Sequence, residues 1–164
     1  MPEVFVAAGS NIQPRARLRQ AIALMREAWP DLRVSRAYAN KAVGFEGDDF
    51  INLVVRFRSD ETLSEVLARL HAIETACGRP RHAPKWASRS MDLDVLLYGD
   101  TVGEFPGAVL PRADLAKRPY MLRPLAEIAA DTVHPTTGKT LGDMWARFDS
   151  AEHQMVPADL EGED

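Results

Sequence analysis

Cysteine is nearly absent: Cys77 is the only one in 164 residues. No disulfide can close within the chain, which fits a reducing compartment, so a cytoplasmic protein is expected. The lone thiol lies near a helix end and reads as packing. No apolar run approaches the roughly 20 residues needed to cross a bilayer. The opening Met1-Pro2-Glu3-Val4-Phe5-Val6-Ala7 has no basic stretch ahead of its apolar one. Neither a membrane anchor nor a secretory leader is therefore expected. There is no basic excess either. The net charge of −4 argues against a general nucleic-acid binder. A Ser/His/Asp or Cys/His constellation for nucleophilic catalysis is missing, as are internal repeats and low-complexity stretches.

Acids are missing from one stretch. Between Thr75 and Met91 there is no Asp or Glu, yet Arg79, Arg81, Lys85 and Arg89 occur there, with His82 and Trp86 among them. Acids gather instead at the end, where Asp159, Glu161, Glu163 and Asp164 fall in the last six residues. Without those four the formal charge is −4 + 4 = 0. The positive charge of the body clusters at residues 79–89 and 112–123, which points to a local anionic ligand rather than a basic surface. With 46% hydrophobic and 27% charged residues, the chain is ordinary globular material, long enough for one cored domain. Residues 1–150 are expected to form it, with 151–164 as a flexible acidic tail.

The stretch Arg89-Ser90-Met91-Asp92-Leu93-Asp94-Val95-Leu96-Leu97-Tyr98 organises the rest. It reads as a buried strand opening on two acids. Residues i and i+2 of a strand share a face, so Asp92 and Asp94 project together while Met91, Leu93, Val95 and Leu97 point the other way. Neighbouring carboxylates repel and resist desolvation, and a hard cation such as Mg2+ relieves both costs. A basic segment running into such a pair suits a polyphosphate with its metal. The alternative, open at this point, is two solvated acids at the start of a strand.

Elsewhere the periods are clear. Residues 3–8 form a first strand. Leu18, Ala21, Ile22, Met25 and Ala28 make a helical stripe that opens near Pro14 and ends at Pro30. Residues 32–38 read as a second strand and 40–49 as a loop. In residues 50–57, Ile51, Leu53, Val55 and Phe57 share a core face, and Phe50, Asn52 and Val54 share the other. Phe50 and Asn52 could stack on and hydrogen-bond a planar heterocycle, or merely pack and cap. Thr62-Leu63-Ser64-Glu65 is a capping box, with Ser59 or Asp60 as alternative caps, ahead of a helix that Gly78 stops. The order strand, helix, strand, strand, helix, strand predicts an α+β, ferredoxin-like βαββαβ core: an antiparallel sheet with helices on one face. Beyond it are expected an extended segment at 106–110, a helical turn at 114–117, and helices at 120–129 and 140–148.

Several motifs now stand in one order. Ala8-Gly9-Ser10-Asn11 follows the first strand, and Asp49-Phe50-Ile51-Asn52 opens the third. Gly78-Arg79-Pro80-Arg81, Trp86 and Arg89-Ser90-Met91-Asp92-Leu93-Asp94 lead into the fourth, with Tyr120-Met121-Leu122-Arg123-Pro124-Leu125 beyond. Together these resemble the 6-hydroxymethyl-7,8-dihydropterin pyrophosphokinases of folate biosynthesis over residues 4–128, with Arg-x-x-Asp-x-Asp the most specific part. The resemblance implies transfer of pyrophosphate from ATP to the hydroxymethyl group of the pterin, leaving AMP. It implies that Asp92 and Asp94 bind two Mg2+ ions, and that Arg79 and Arg89 neutralise charge on the transferred group. Asn52 would read the pterin edge, with Phe50 and Tyr120 sandwiching the ring and Trp86 closing over it. Arg81, Lys85, Arg112 and Arg118 would contact ATP. The implied partners are small molecules only, and a monomer is expected. Three places depart from the family pattern. Asn40-Lys41-Ala42 stands for Thr-Pro, Lys85-Trp86-Ala87-Ser88-Arg89 for Arg-Trp-Gly-Pro-Arg, and Pro111-Arg112 for Pro-His. The alternative reading is a divergent pterin- or nucleotide-binding relative with weak or altered transfer. An RNA-binding module is disfavoured by the acidic charge and by the lack of a base-stacking motif on these strands.

Overall fold

In a computed structural model of the protein, residues 1–40, 50–78, 91–148 and 155–164 are described. In chain order they form β1 (Glu3–Ser10), α1 (Pro14–Ala28), β2 (Arg33–Val34), β3 (Ala37–Asn40), β4 (Phe50–Arg58), α2 (Leu63–Ala76), β5 (Asp92–Tyr98), β6 (Gly103–Phe105) and β7 (Ala108–Leu110). A 3-10 turn (Leu115–Lys117), α3 (Pro119–Ile128), α4 (Leu141–Ala146) and β8 (Val156–Ala158) follow. The main sheet runs β5-β1-β4-β3-β8, and β2 also pairs with β4. Its pairings are antiparallel. Without β8, the order is that of the expected ferredoxin-like core.

One face of the sheet carries Val4, Val6, Ile51, Leu53, Val55, Phe57, Leu93 and Val95, packed on Leu18, Ala21 and Met25 of α1 and Val66, Leu70 and Ile73 of α2. That is the face expected from period-2 alternation. Helix α2 starts as its capping box requires: Thr62 Oγ1 accepts from Glu65 N at 3.2 Å, and Glu65 Oε1 accepts from Thr62 N at 3.4 Å. Thr62, not Ser59 or Asp60, is the cap. Cys77 is fully buried beyond the helix, and desolvation pushes its thiol pKa up, so it packs rather than reacts.

Three expectations need correction. First, helices cover both faces. Phe5, Ala7, Val54 and Leu96 point away from α1 and pack on Met121 and Leu125 of α3 and Leu141 of α4. Second, Leu97 does not share the face of Leu93 and Val95. The register between β1 and β5 passes from Phe5↔Leu97 to Val6↔Val95, leaving Leu96 as an extra residue. This bulge reverses the alternation, and Leu96 and Leu97 both join the α3 side. Third, the strand expected at 32–38 breaks at Ser35 and Arg36. There Ser35 N donates to Val54 O at 2.9 Å, while Ser35 Oγ accepts from Val54 N at 2.9 Å.

The acidic end differs from expectation as well. Val156 to Ala158 add a strand to β3, and Leu160 packs against the α1 core. The chain then reaches the start of α1. There Gln13, the N-cap residue, has a φ of 44° and supplies no side-chain cap. Pro14 has no N–H to satisfy. The next two donors, Arg15 N and Ala16 N, give their hydrogens to Asp164 Oδ1 and Oδ2 at 2.7 and 3.0 Å. A residue about 150 positions away thus caps α1, aided by the helix dipole. Arg15 Nε also donates to Asp159 O at 2.8 Å. Replacing Asp164 by Ala is expected to cost about 1 kcal/mol, lowering the melting temperature by roughly 2–4 °C. Asp164→Asn should lose less. Thermal denaturation of the three chains by circular dichroism checks both.

Candidate active site

The candidate site lies on the α3 face of the sheet, at the end where β5 begins. Its geometry follows from β1, the central strand. Gly9 pairs with Asn52 of β4 on one side and with Asp92 of β5 on the other. Ala7 pairs with Val54 and Asp94 in the same way. Partners across an antiparallel pair project to the same face, and Ala7 and Val54 pack on α3. Asn52, Asp92 and Asp94 therefore look out on that face together. The two aspartates are half-buried. Among the described residues, no group of three or more His, Cys, Asp or Glu side chains is poised to hold a metal ion.

Gly9 is needed for its missing side chain rather than for backbone freedom. A Cβ built there would lie 2.4 Å from Asn52 Oδ1, far inside contact distance. Asn52 is buried and leans over the glycine. Its Nδ2 donates to Asn40 Oδ1 at 2.6 Å. Tyr38, across from Asn52 in β3, is fully buried. Its hydroxyl donates to Glu127 Oε1 at 2.5 Å, and the Arg123 guanidinium lies 4.5 Å from its ring centroid. This packing fixes the wall beside Asn52. Phe50 opens β4, two residues before Asn52 and so on the same face, half-buried. Tyr120, near the start of α3, is half-buried against the same core. Burial pushes its phenol pKa up, opposed by Arg118 and reinforced by Asp114.

A second set of charges comes from the segment between β7 and α3. Arg112 N donates to Leu96 O at 3.0 Å, pinning this segment to β5. The Arg112 side chain then bridges two acids, with Nη1 3.2 Å from Asp94 Oδ1 and Nε 2.8 Å from Asp114 Oδ1. Burial disfavours the Arg112 charge, but Asp94 and Asp114 more than offset it and raise its pKa. Arg118 Nε lies 3.6 Å from Asp114 Oδ2. Behind Asp94 and Arg112, between α2 and the β6–β7 hairpin, is a cavity of about 810 Å3. Leu67, His71 and Glu74 of α2, Val95 of β5 and Val109 of β7 line it. Glu74 is buried, and its Oε2 accepts from Leu93 N at 2.8 Å, satisfying a donor on the outer edge of β5.

The described part of the site thus brings together Asn52, Phe50, Asp92, Asp94, Arg112, Arg118 and Tyr120. Arg79, Arg81, Lys85, Trp86 and Arg89 lie outside the described residues, as does the loop at 41–49. The sequence reading missed Leu67, His71 and Glu74. They sit at helical spacing in a capped amphipathic helix, and only the hairpin folding against α2 makes them walls of a cavity.

Residues 5–130 match the family model described as 7,8-dihydro-6-hydroxymethylpterin-pyrophosphokinase (HPPK). The chain belongs to the HPPK family. A 2-amino-4-hydroxy-6-hydroxymethyldihydropteridine pyrophosphokinase of Synechocystis sp. is 38% identical over 129 residues, covering 79% of this chain and 66% of its own length. That of Aquifex aeolicus is 32% identical over 143 residues, covering 86% and 89%. Among solved structures, an HPPK-DHPS in complex with substrates superposes with a TM-score of 0.66 at 12% identity, covering 88% of this chain and 43% of that one. HPPK-DHPS of Plasmodium falciparum gives 0.65 at 12% identity, over 89% and 41%. At such low identity these two speak for the fold alone. The chain spans about two thirds of the Synechocystis relative and less than half of either HPPK-DHPS chain.

The HPPK fold places Asn52 where only a glycine neighbour leaves it room. In Gly9→Ala the Asn52 amide should be driven off Asn40 while the sheet stays intact, because the clash is with a side-chain tip. The Asn52 side-chain NH2 resonances should shift markedly, with the melting temperature changed by only a few degrees. An unmoved amide would mean that the crowding is relieved elsewhere.

Proposed function

We propose that this HPPK-family chain transfers pyrophosphate from ATP to the hydroxymethyl group of 6-hydroxymethyl-7,8-dihydropterin, giving AMP and the pterin diphosphate, as a step of folate biosynthesis. The observation that carries the proposal is the row Asn52–Gly9–Asp92 across three strands, with Asp94 and Arg112 joining it to the cavity behind β5. The two substrates would approach from opposite sides. The pterin ring lies on the α3 face, where Asn52 reads an edge carrying both donors and acceptors and Phe50 and Tyr120 flank the ring. The nucleoside enters the cavity lined by Leu67, His71 and Val109. Its phosphates pass Arg112 and Arg118 to meet the carboxylates.

The donor set fits Mg2+. Two carboxylates on one strand face, with no third His, Cys, Asp or Glu side chain placed to share an ion with them among the described residues, leave coordination positions for phosphate oxygens and water, as Mg2+ requires. Asp92 and Asp94 would hold two ions, which supply charge neutralisation along the triphosphate. The chain's own residues do the rest by placement. The pterin hydroxyl oxygen bonds to the β-phosphorus as its proton passes to solvent, the bond from that phosphorus to the α–β bridging oxygen breaks, and AMP leaves. Such transfers depend on alignment and on stabilising spread-out charge, not on a covalent protein intermediate. Arg79 and Arg89, with Arg81, Lys85 and Trp86, belong to the same machinery by the order of the motif. Their guanidinium and ammonium groups would face the transferred phosphates. The chain would act on small molecules, in the cytoplasm, as a monomer.

Incubation with ATP, Mg2+ and the dihydropterin should release AMP and pterin diphosphate. ADP as the only nucleotide product would refute the proposal. Asp92→Asn and Asp94→Asn should each keep the fold and lose turnover by about 100-fold or more, the scale of losing one preorganised electrostatic contact. In Phe50→Ala, calorimetry should find pterin affinity lowered about tenfold and ATP affinity nearly unchanged. Equal losses for both ligands would make Phe50 a packing residue only.

A further inference from the structure

Arg112 stands where two needs compete. Its Nη1 touches Asp94 Oδ1 at 3.2 Å and its Nε touches Asp114 Oδ1 at 2.8 Å. The root of the side chain is fixed through Arg112 N to Leu96 O, two residues along β5 from Asp94. The side chain is one-third exposed and lies on the cavity wall. A divalent ion on the same Asp94 oxygen would sit about 2.1 Å away and would repel a guanidinium at contact distance. The two cations compete for that oxygen.

We propose that Arg112 is a stand-in cation for Asp94. It pairs with the carboxylate when no metal is there, and it passes to a nucleotide phosphate oxygen when metal and nucleotide arrive together. This rests on the metal–nucleotide reading above. Asp114 is the pivot: it keeps Nε while the outer nitrogens change partner. Arginine suits this role best. Its planar fork holds two anions on separate nitrogens, whereas a lysine offers one compact charge. A guanidinium stays protonated at all working pH values, so the change of partner is not driven by loss of its own proton. Bare metal must break the Arg112–Asp94 pair without compensation. Metal arriving with a triphosphate offers Arg112 a new anionic partner. Binding of metal and binding of nucleotide are therefore coupled through one side chain, each strengthening the other by the same factor.

The test titrates the full chain with Mn2+, read by the electron paramagnetic resonance of free Mn2+, with and without α,β-methylene ATP. Arg112→Gln should bind Mn2+ about three- to tenfold more tightly than the parent when nucleotide is absent, the range expected for losing a partly exposed competing cation. The strengthening of Mn2+ binding by the analogue should shrink in the variant by a similar factor. Arg112→Lys, which keeps a charge without the fork, should fall between the two and guards against a misfolded Gln variant. Unchanged or weaker Mn2+ binding in both variants without nucleotide overturns the proposal. It leaves the metal assignment standing if Asp94→Asn weakens Mn2+ binding to the parent. If Asp94→Asn has no effect on Mn2+, the metal reading and this proposal fall together.

Discussion

Two carboxylates held side by side are the costly element of this fold. Residues i and i+2 of a strand are about 6.6 Å apart. At an effective permittivity of about 20, two unit charges at that distance repel by roughly 2.5 kcal/mol, less where solvent screens them. A free chain would swing Asp92 and Asp94 apart. Here it cannot, because β5 is tied to β1 through six paired positions, and Gly9 and Ala7 lie directly opposite the two acids. Burial of Leu93 and Val95 on the far face holds the strand in that register. The core thus supplies the energy that keeps the acids together. Arg112, reaching Asp94 from the segment after β7, offsets part of the repulsion.

Much of this was legible in the residues themselves. Period-2 alternation in β4 and the capped stripe of α2 placed both elements correctly, because propensity, cap and burial agree there. The Asp92–Asp94 pair was legible for the same reason: a shared face needs only local backbone geometry. The bulge at Leu96 was not. Leu96 and Leu97 are both apolar, so a one-residue change of register leaves no mark in the hydrophobic pattern. The second helical layer did leave one. Leu53-Val54-Val55 and Val95-Leu96-Leu97 are continuous apolar runs, the mark of strands buried on both faces, and they argue against a sheet covered on one face only.

The end of the chain shows the opposite failure. Four acids in six residues read as a solvated tail. Yet each of the well-placed groups answers a particular need elsewhere. The apolar side chain of Leu160 packs on α1's core, and Asp164 completes a helix start that Gln13 and Pro14 leave uncapped. Composition averages over residues that fold uses one at a time. The Arg112–Asp94 pair, 18 positions apart, and the cavity wall on α2 escaped for a related reason: both exist only after the β6–β7 hairpin has closed against β5 and α2.

The middle of the site is built from what its central strand omits. Ala7, Ala8, Gly9 and Ser10 are small, and β1 places no functional side chain on the α3 face at this end. The polar side chains of the proposed site come from its neighbours, Asn52 on one side and Asp92 and Asp94 on the other. Had β1 carried large residues there, they would fill the space in which the proposed site places a ring and a phosphate chain, and a Cβ at Gly9 alone would already collide with the Asn52 amide. In the proposed function, Asn52 and the Asp92–Asp94 pair would stand one strand width, about 4.8 Å, to either side of β1, and the hydroxymethyl group and the phosphates would meet above its small residues.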